Sequence, residues 1–212
     1  MRTCVIFCAG GFDRLARPVD QKDIVIAADG GLRHVQSLGI TPQIVLGDFD
    51  SLGYIPAGSE IYPVEKDDTD AMLAVKKGLA LGCDVFYIYG ALDGPRLDHT
   101  VANLQLLQYL AQHGATGYLI GRQYIVRSLH SEVLQLPVHF EGILSVFCMG
   151  EDAAGVTILG TKYEIVGEVL SAGFPLGVSN RFVGAPATVT VRDGVLILMW
   201  DRKNGLPEEP LC

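Results

Sequence analysis

Up to residue 121, short unbroken apolar runs alternate with stretches whose apolar positions recur at helical spacing. The runs at 3–9, Ile24–Ala28, 44–46, 60–64, 84–89 and Thr116–Ile120 read as buried strands. Helices are predicted at 32–38, closed by Gly39, and at 100–113, ahead of Gly114. A third is predicted from Thr69, where Ala71, Val75 and Leu79 fall at i, i+4 and i+8 before Gly82 stops it. Regular alternation of strand and helix calls for a mostly parallel sheet.

Past Gly121 the pattern changes. Val133–Leu136, Ile143–Cys148, 156–159, 163–169, 187–191 and 195–200 are short β-type runs separated by Gly, Pro and Asp, with no helical period between them. Arg192-Asp193-Gly194 reads as a hairpin turn. The expected architecture is an α/β N-terminal domain with a mostly parallel sheet over 1–124, followed by an all-β, sandwich-like C-terminal domain over 125–212. The join falls near 122–128. The Pro- and Glu-rich tail, 204–212, is expected to be disordered.

Composition narrows the function classes. Hydrophobic residues make up 49% of the 212 and charged residues 19%, enough apolar surface for a real core. No apolar run approaches the roughly 18 residues that cross a bilayer, so no membrane partner is expected. The opening stretch 1–8 reads as a first strand leading into Gly10-Gly11 rather than as a signal peptide. Cysteines at 4, 8, 83, 148 and 212 are odd in number and form no CxxC pair. That usage fits a reducing cytoplasm, with neither a disulfide framework nor a zinc site. A formal charge of −8 argues against a nucleic-acid partner. It leaves open a phosphate ligand reached through a cation.

The candidate chemistry is acidic. Nine of the 15 aspartates lie between Asp29 and Asp98, and each group falls after a strand or at the start of a helix. The groups are Asp29, Asp48 with Asp50, Asp67/Asp68/Asp70, and Asp98. Each has a plain reading as a turn former or helix cap. In a parallel sheet, however, these positions share one edge, where ligands bind. Asp48 and Asp50, in GDFDS, alternate on what reads as an extended backbone, so both carboxylates are expected to face one cation. An all-oxygen donor set favours Mg²⁺ or Mn²⁺. Arg96 offers a planar fork for a phosphate or for Asp98, and His99 and Asn103 share a helix face. Gly10-Gly11 and Gly30-Gly31 permit close backbone approach to a ligand, but they match neither GxGxxG nor GxxxxGK[ST]. Together these features read as a metal–nucleotide enzyme.

The ordered set DGG (29–31), GDFDS (47–51), KDDTD (66–70), GxRLDH (94–99) with Asn103, and GVSN (177–180) resembles the thiamine pyrophosphokinase family over nearly the whole chain. The resemblance implies a nucleotide-binding α/β domain, a β-sandwich domain, and a homodimer with thiamine at the subunit interface. It implies transfer of the pyrophosphoryl group of ATP to the hydroxyethyl oxygen of thiamine, giving thiamine diphosphate and AMP. Asp48, Asp50 and Asp70 would hold the metal. Asp98 would stand near the reacting hydroxyl. Asp29, Asp68, Thr69, Arg96, His99 and Asn103 would bind ATP. Ser179, Asn180 and Phe182 would bind thiamine. Pro95 departs from the family pattern, replacing a glycine and removing one N–H from a loop that could otherwise face phosphate. Phe182 matches an aromatic position of the family, where it can stack but donates no hydrogen bond. The competing readings are a pterin-alcohol pyrophosphokinase, a non-catalytic nucleotide or thiamine sensor, and a metal-dependent phosphohydrolase.

Overall fold

The computed structural model describes residues 1–207. The chain divides into two compact units, residues 1–106 with 117–122, and residues 107–116 with the chain from 123 onward.

In the first unit the strands are β1 (Thr3–Phe7), β2 (Ile24–Ala28), β3 (Ile44–Gly47), β4 (Glu60–Ile61), β5 (Val85–Tyr89) and β6 (Thr116–Ile120), in the order β6-β5-β1-β2-β3-β4. β1 pairs in parallel with both β2 and β5, and the parallel pairing continues from β2 to β3 and from β3 to β4. Val5, Ile6, Phe7, Ile26 and Ala27 are fully buried at its centre, as unbroken apolar runs require. The strands step away from β1 as far as β4, then return to its other side as β5. Loops leaving the carboxyl ends diverge at such a reversal and open a crevice.

The helices are α1 (Leu32–Ser37), α2 (Asp70–Ala80) and α3 (Leu97–Gln112). Thr69 caps α2, its hydroxyl oxygen accepting from the Met72 N–H at 3.2 Å, and Gly82 ends it with φ +76°. Its face of Ala71, Ala74, Val75 and Gly78 lies on β1, β2 and β3. β4 is shorter than its apolar run suggests. Tyr62 donates to the Gly47 carbonyl, and Pro63 has no N–H with which to extend the ladder. α3 starts three residues earlier than its apolar period does, so Asp98 and His99 lie in its first turn.

The second unit holds two antiparallel sheets. One has the order β12 (Asn180–Arg181), β9 (Ile143–Cys148), β14 (Val195–Asp201), β7 (Tyr124–His130). The other has the order β11 (Ile165–Leu170), β10 (Ala153–Leu159), β13 (Ala187–Thr190), β8 (Val133–Leu136). β7 has no counterpart among the predicted strands because Arg127 and Ser128, both buried, interrupt its apolar run. Arg127 is held there by an ion pair to Glu132 at 2.7 Å.

Residues 192–194 do not form the expected hairpin. β13 and β14 belong to different sheets, so the turn carries the chain from one to the other. Asp193 bridges to Ala154, and Gly194 takes φ +90°. The predicted disordered tail begins too early. The Asn204 side chain exchanges two hydrogen bonds with the Glu141 backbone, Trp200 Nε1 donates to the Gly205 carbonyl, and Leu206 is buried. The rest of that tail, 208–212 with Cys212, lies outside the described residues. Among the described residues no helix is long and apolar enough to cross a membrane.

Candidate active site

The loops that follow β1, β2, β3 and β5, together with the starts of α2 and α3, surround a cavity of about 780 Å³. Two glycines bring these loops together. A Cβ on Gly31 would stand 1.9 Å from the Phe7 carbonyl oxygen, and one on Gly10 would stand 2.4 Å from that of Gly90. Both meet neighbouring backbone at the position a side chain would need. Their part is to pack one loop against the next, not to clear room for a ligand as the sequence suggests.

Asp29, Asp48 and Asp50 converge, with one carboxylate oxygen from each lying within 4.8 Å of the others. The convergence is not produced by an extended backbone. β3 ends at Gly47, and Phe49 takes φ +62° with its ring buried. That left-handed step folds Asp50 back, so its N–H lies 3.3 Å from Asp48 Oδ1. Asp29 follows β2 directly at φ +45°. It is only 6% exposed, and its Oδ1 has no hydrogen-bond partner. Leaving a charged oxygen buried and unpaired costs several kcal/mol.

Asp70, expected as the third metal arm, stands beside this group and is joined to it through Lys66. Lys66 Nζ donates to Asp48 Oδ2 at 2.8 Å and forms an ion pair with Asp70 Oδ1 at 3.0 Å. Burial pushes the Asp70 carboxyl above the usual carboxylate range. Lys66 opposes that shift, while Asp48 and Asp29 repel and add to it. Partial burial works on Asp48 in the same direction, but bonds from Lys66 and the Asp50 N–H outweigh it and hold its carboxyl low. Lys66 in turn is held above the ordinary lysine range, its two carboxylate partners overcoming desolvation.

The remaining sequence candidates in this unit divide by what they touch. Asp68 is bound through both oxygens to Lys76, at 2.8 and 2.7 Å. Thr69 is the α2 cap. Arg96 and Asp98, 65% and 64% exposed, form a two-point ion pair at 3.2 and 2.6 Å. The guanidinium holds the Asp98 carboxyl below its usual range. His99 is exposed at the rim, and its N–H donates to Asp98. Asn103 is buried, its Nδ2 fixing the Ala91 carbonyl at 2.8 Å. Pro95 also lines the cavity.

In the second unit the three predicted thiamine contacts have different surroundings. Ser179 is exposed at φ +62°, with its N–H on Ser145 Oγ. Asn180 is buried at 4% exposure. Its side chain donates to Thr161 and the Tyr163 carbonyl and accepts from the Tyr163 and Arg181 N–H groups. Phe182 is buried with its ring edge-on to Phe140, centroids 5.7 Å apart.

Comparison with known proteins supplies the family. Residues 15–119 match the profile of the thiamin pyrophosphokinase catalytic domain, and residues 131–196 that of the thiamin pyrophosphokinase vitamin B1 binding domain. The chain belongs to the thiamine pyrophosphokinase family. It is therefore an enzyme of a family that acts on thiamine and ATP.

A thiamine pyrophosphokinase from Bacillus subtilis is 27% identical over 190 residues, which is 85% of this chain and 88% of that protein. The crystal structure of the B. subtilis enzyme aligns at a TM-score of 0.80 and 25% identity, over 94% of this chain and 99% of its own. The yeast enzyme, only 13% identical, shares the fold at a TM-score of 0.73 over 99% of this chain and 89% of its own.

Within this family fold, sequence reasoning missed Lys66, Arg33 and His34. All three line the cavity. Arg33 donates to the Ser51 and Leu52 carbonyls, and His34 Nε2 donates to the Gly10 carbonyl at 2.8 Å. Lys66 belongs to the KDDTD run, and only the fold shows which carboxylates it reaches.

Proposed function

We propose that this chain transfers the pyrophosphoryl group of ATP to the hydroxyethyl oxygen of thiamine, giving thiamine diphosphate and AMP, at the carboxyl edge of the first unit. The observation that carries this reading is the convergence of Asp29, Asp48 and Asp50 around a buried oxygen that has no partner. An all-oxygen set of this charge fits Mg²⁺ or Mn²⁺. Asp48 and Asp50 would hold the ion, with Asp29 and Asp70 beside them. When bound, the metal neutralises the phosphate oxygens and supports the departing AMP.

The chain's own groups do the positioning. Thr69 and Asn103 fix the backbone at the cavity wall. Arg96 turns its fork from Asp98 to the phosphates. Asp98, released by Arg96, accepts the thiamine proton only late, as the bond to phosphorus forms. Most of the rate enhancement comes from holding the hydroxyl in line with the β-phosphorus.

In the second unit, Ser179 is the group free to meet the thiamine ring. Asn180 and Phe182 support it from within the fold. Thiamine is placed at a homodimer interface. Exposed Val166, Val169, Phe174 and Leu176 supply an apolar surface of the kind that subunits cover. Buried free thiols at Cys4, Cys8 and Cys83 suit a cytoplasmic setting.

The test is an acceptor panel with ATP and Mg²⁺, read by chromatography. Thiamine should give AMP and thiamine diphosphate in equal amounts. A pterin alcohol, or no acceptor, should give neither product. AMP or ADP release without thiamine would replace this reading with hydrolysis.

A further inference from the structure

Four carboxylates, Asp29, Asp48, Asp50 and Asp70, face one end of the cavity, and Lys66 is the cation set among them. The other cations of that wall are engaged elsewhere. Arg33 is on the Ser51 and Leu52 carbonyls, and Arg96 is on Asp98. Lys66 enters from the segment between β4 and α2, and its side chain is only 13% exposed. It contacts Asp48 and Asp70 and leaves Asp29 Oδ1, which is buried and aimed into the cluster, without a donor. Its neutralisation of the cluster is therefore partial. A single ammonium on a flexible four-carbon stem also occupies an oxygen of Asp48, one of the residues assigned to the metal.

We propose that Lys66 is an internal counter-cation that competes with the divalent metal for Asp48 and Asp70, and that it moves onto the phosphates of ATP when it gives those oxygens up. The inference rests on the metal–nucleotide reading above. In the nucleotide-free protein, Lys66 keeps four nearby negative charges folded together and lowers their affinity for a bare cation. With ATP present, its ammonium keeps a negative partner after leaving Asp48, because the triphosphate lies in the same cavity. Binding of metal and of nucleotide is thereby coupled through one side chain, each favouring the other. A purely structural lysine has no such sign reversal. Its loss would weaken every ligand at once.

The test measures Mn²⁺ binding to the whole protein, from loss of the free-ion electron paramagnetic resonance signal, for wild type, Lys66→Met, Lys66→Arg and Asp50→Asn. Without nucleotide, Lys66→Met should bind Mn²⁺ about tenfold more tightly, the size expected for removing one charge competitor. Lys66→Arg should stay near wild type. With saturating Mn²⁺, ATP affinity should fall about tenfold in Lys66→Met, and the gain on Mn²⁺ should vanish. Circular dichroism checks folding, and Lys66→Gln serves in its place if the methionine variant does not fold. Weaker or unchanged Mn²⁺ binding in Lys66→Met, with Asp50→Asn impaired, overturns the role of Lys66 and leaves the metal site standing. Mn²⁺ binding indifferent to Asp50→Asn overturns the metal reading itself.

Discussion

Asp29 and Phe49 hold left-handed backbone conformations at φ +45° and +62°, each at a cost of roughly 1–2 kcal/mol for a residue with a side chain. Both costs are carried where the acidic cluster is assembled, and the buried Phe49 ring fixes one of them in place. Cys8 belongs to the same wall. Burial, with the Asp70 charge adding to it, pushes its thiol up from 9.0 to about 12. The folded chain thus keeps a proton that the unfolded chain releases above pH 9.0, so this group's contribution to stability is complete below that pH. It is lost as pH rises toward about 12. Unfolding free energies from urea denaturation over this window should fall by about 1.4 kcal/mol per pH unit from this group. Cys8→Ala should make the slope shallower by that amount, and an unchanged slope would place the titration elsewhere. At this scale the carboxylates were legible, because Asp next to a strand end is a sequence pattern. The pairing of Lys66 with Asp48, 18 positions away, was not.

Elements were legible wherever one kind of residue filled them. The unbroken apolar runs of β1, β2, β5 and β6 announced a buried parallel sheet, and Thr69 with Gly82 marked both ends of α2. β7 was hidden by Arg127, a charge whose burial depends on Glu132. The turn at 192–194 was recognisable as a turn, but turn chemistry does not specify which strand follows as a partner, and β14 joins the other sheet. Asn180 shows the same gap for function. Expected as a ligand contact, its side chain also ties β12 to the 161–163 loop through three hydrogen bonds. Asn180→Ala would leave buried backbone groups unpaired and should cost about 2–4 kcal/mol in chemical denaturation. A loss below about 0.5 kcal/mol would show that water replaces the side chain at little cost.

For the molecule as a whole, a formal charge of −8 disfavours a bare triphosphate, and a metal held by the acidic cluster would offset that charge locally. On the proposed reading, that metal would let phosphate be recognised without a glycine-rich fingerprint. Each unit matches one profile of the thiamin pyrophosphokinase family, which divides the proposed chemistry between a nucleotide-handling part and a vitamin-handling part. That division follows the change in sequence texture near residue 121. The proposed pyrophosphoryl transfer depends on the carboxylates at the end of β3. ³¹P NMR of ATP, Mg²⁺ and thiamine, with wild type and Asp50→Asn side by side, follows that dependence. The wild type should yield AMP and thiamine diphosphate one for one, and Asp50→Asn, with unchanged circular dichroism, should be slower by roughly 10³-fold. ADP with thiamine monophosphate, or an Asp50→Asn rate equal to wild type, would contradict the account.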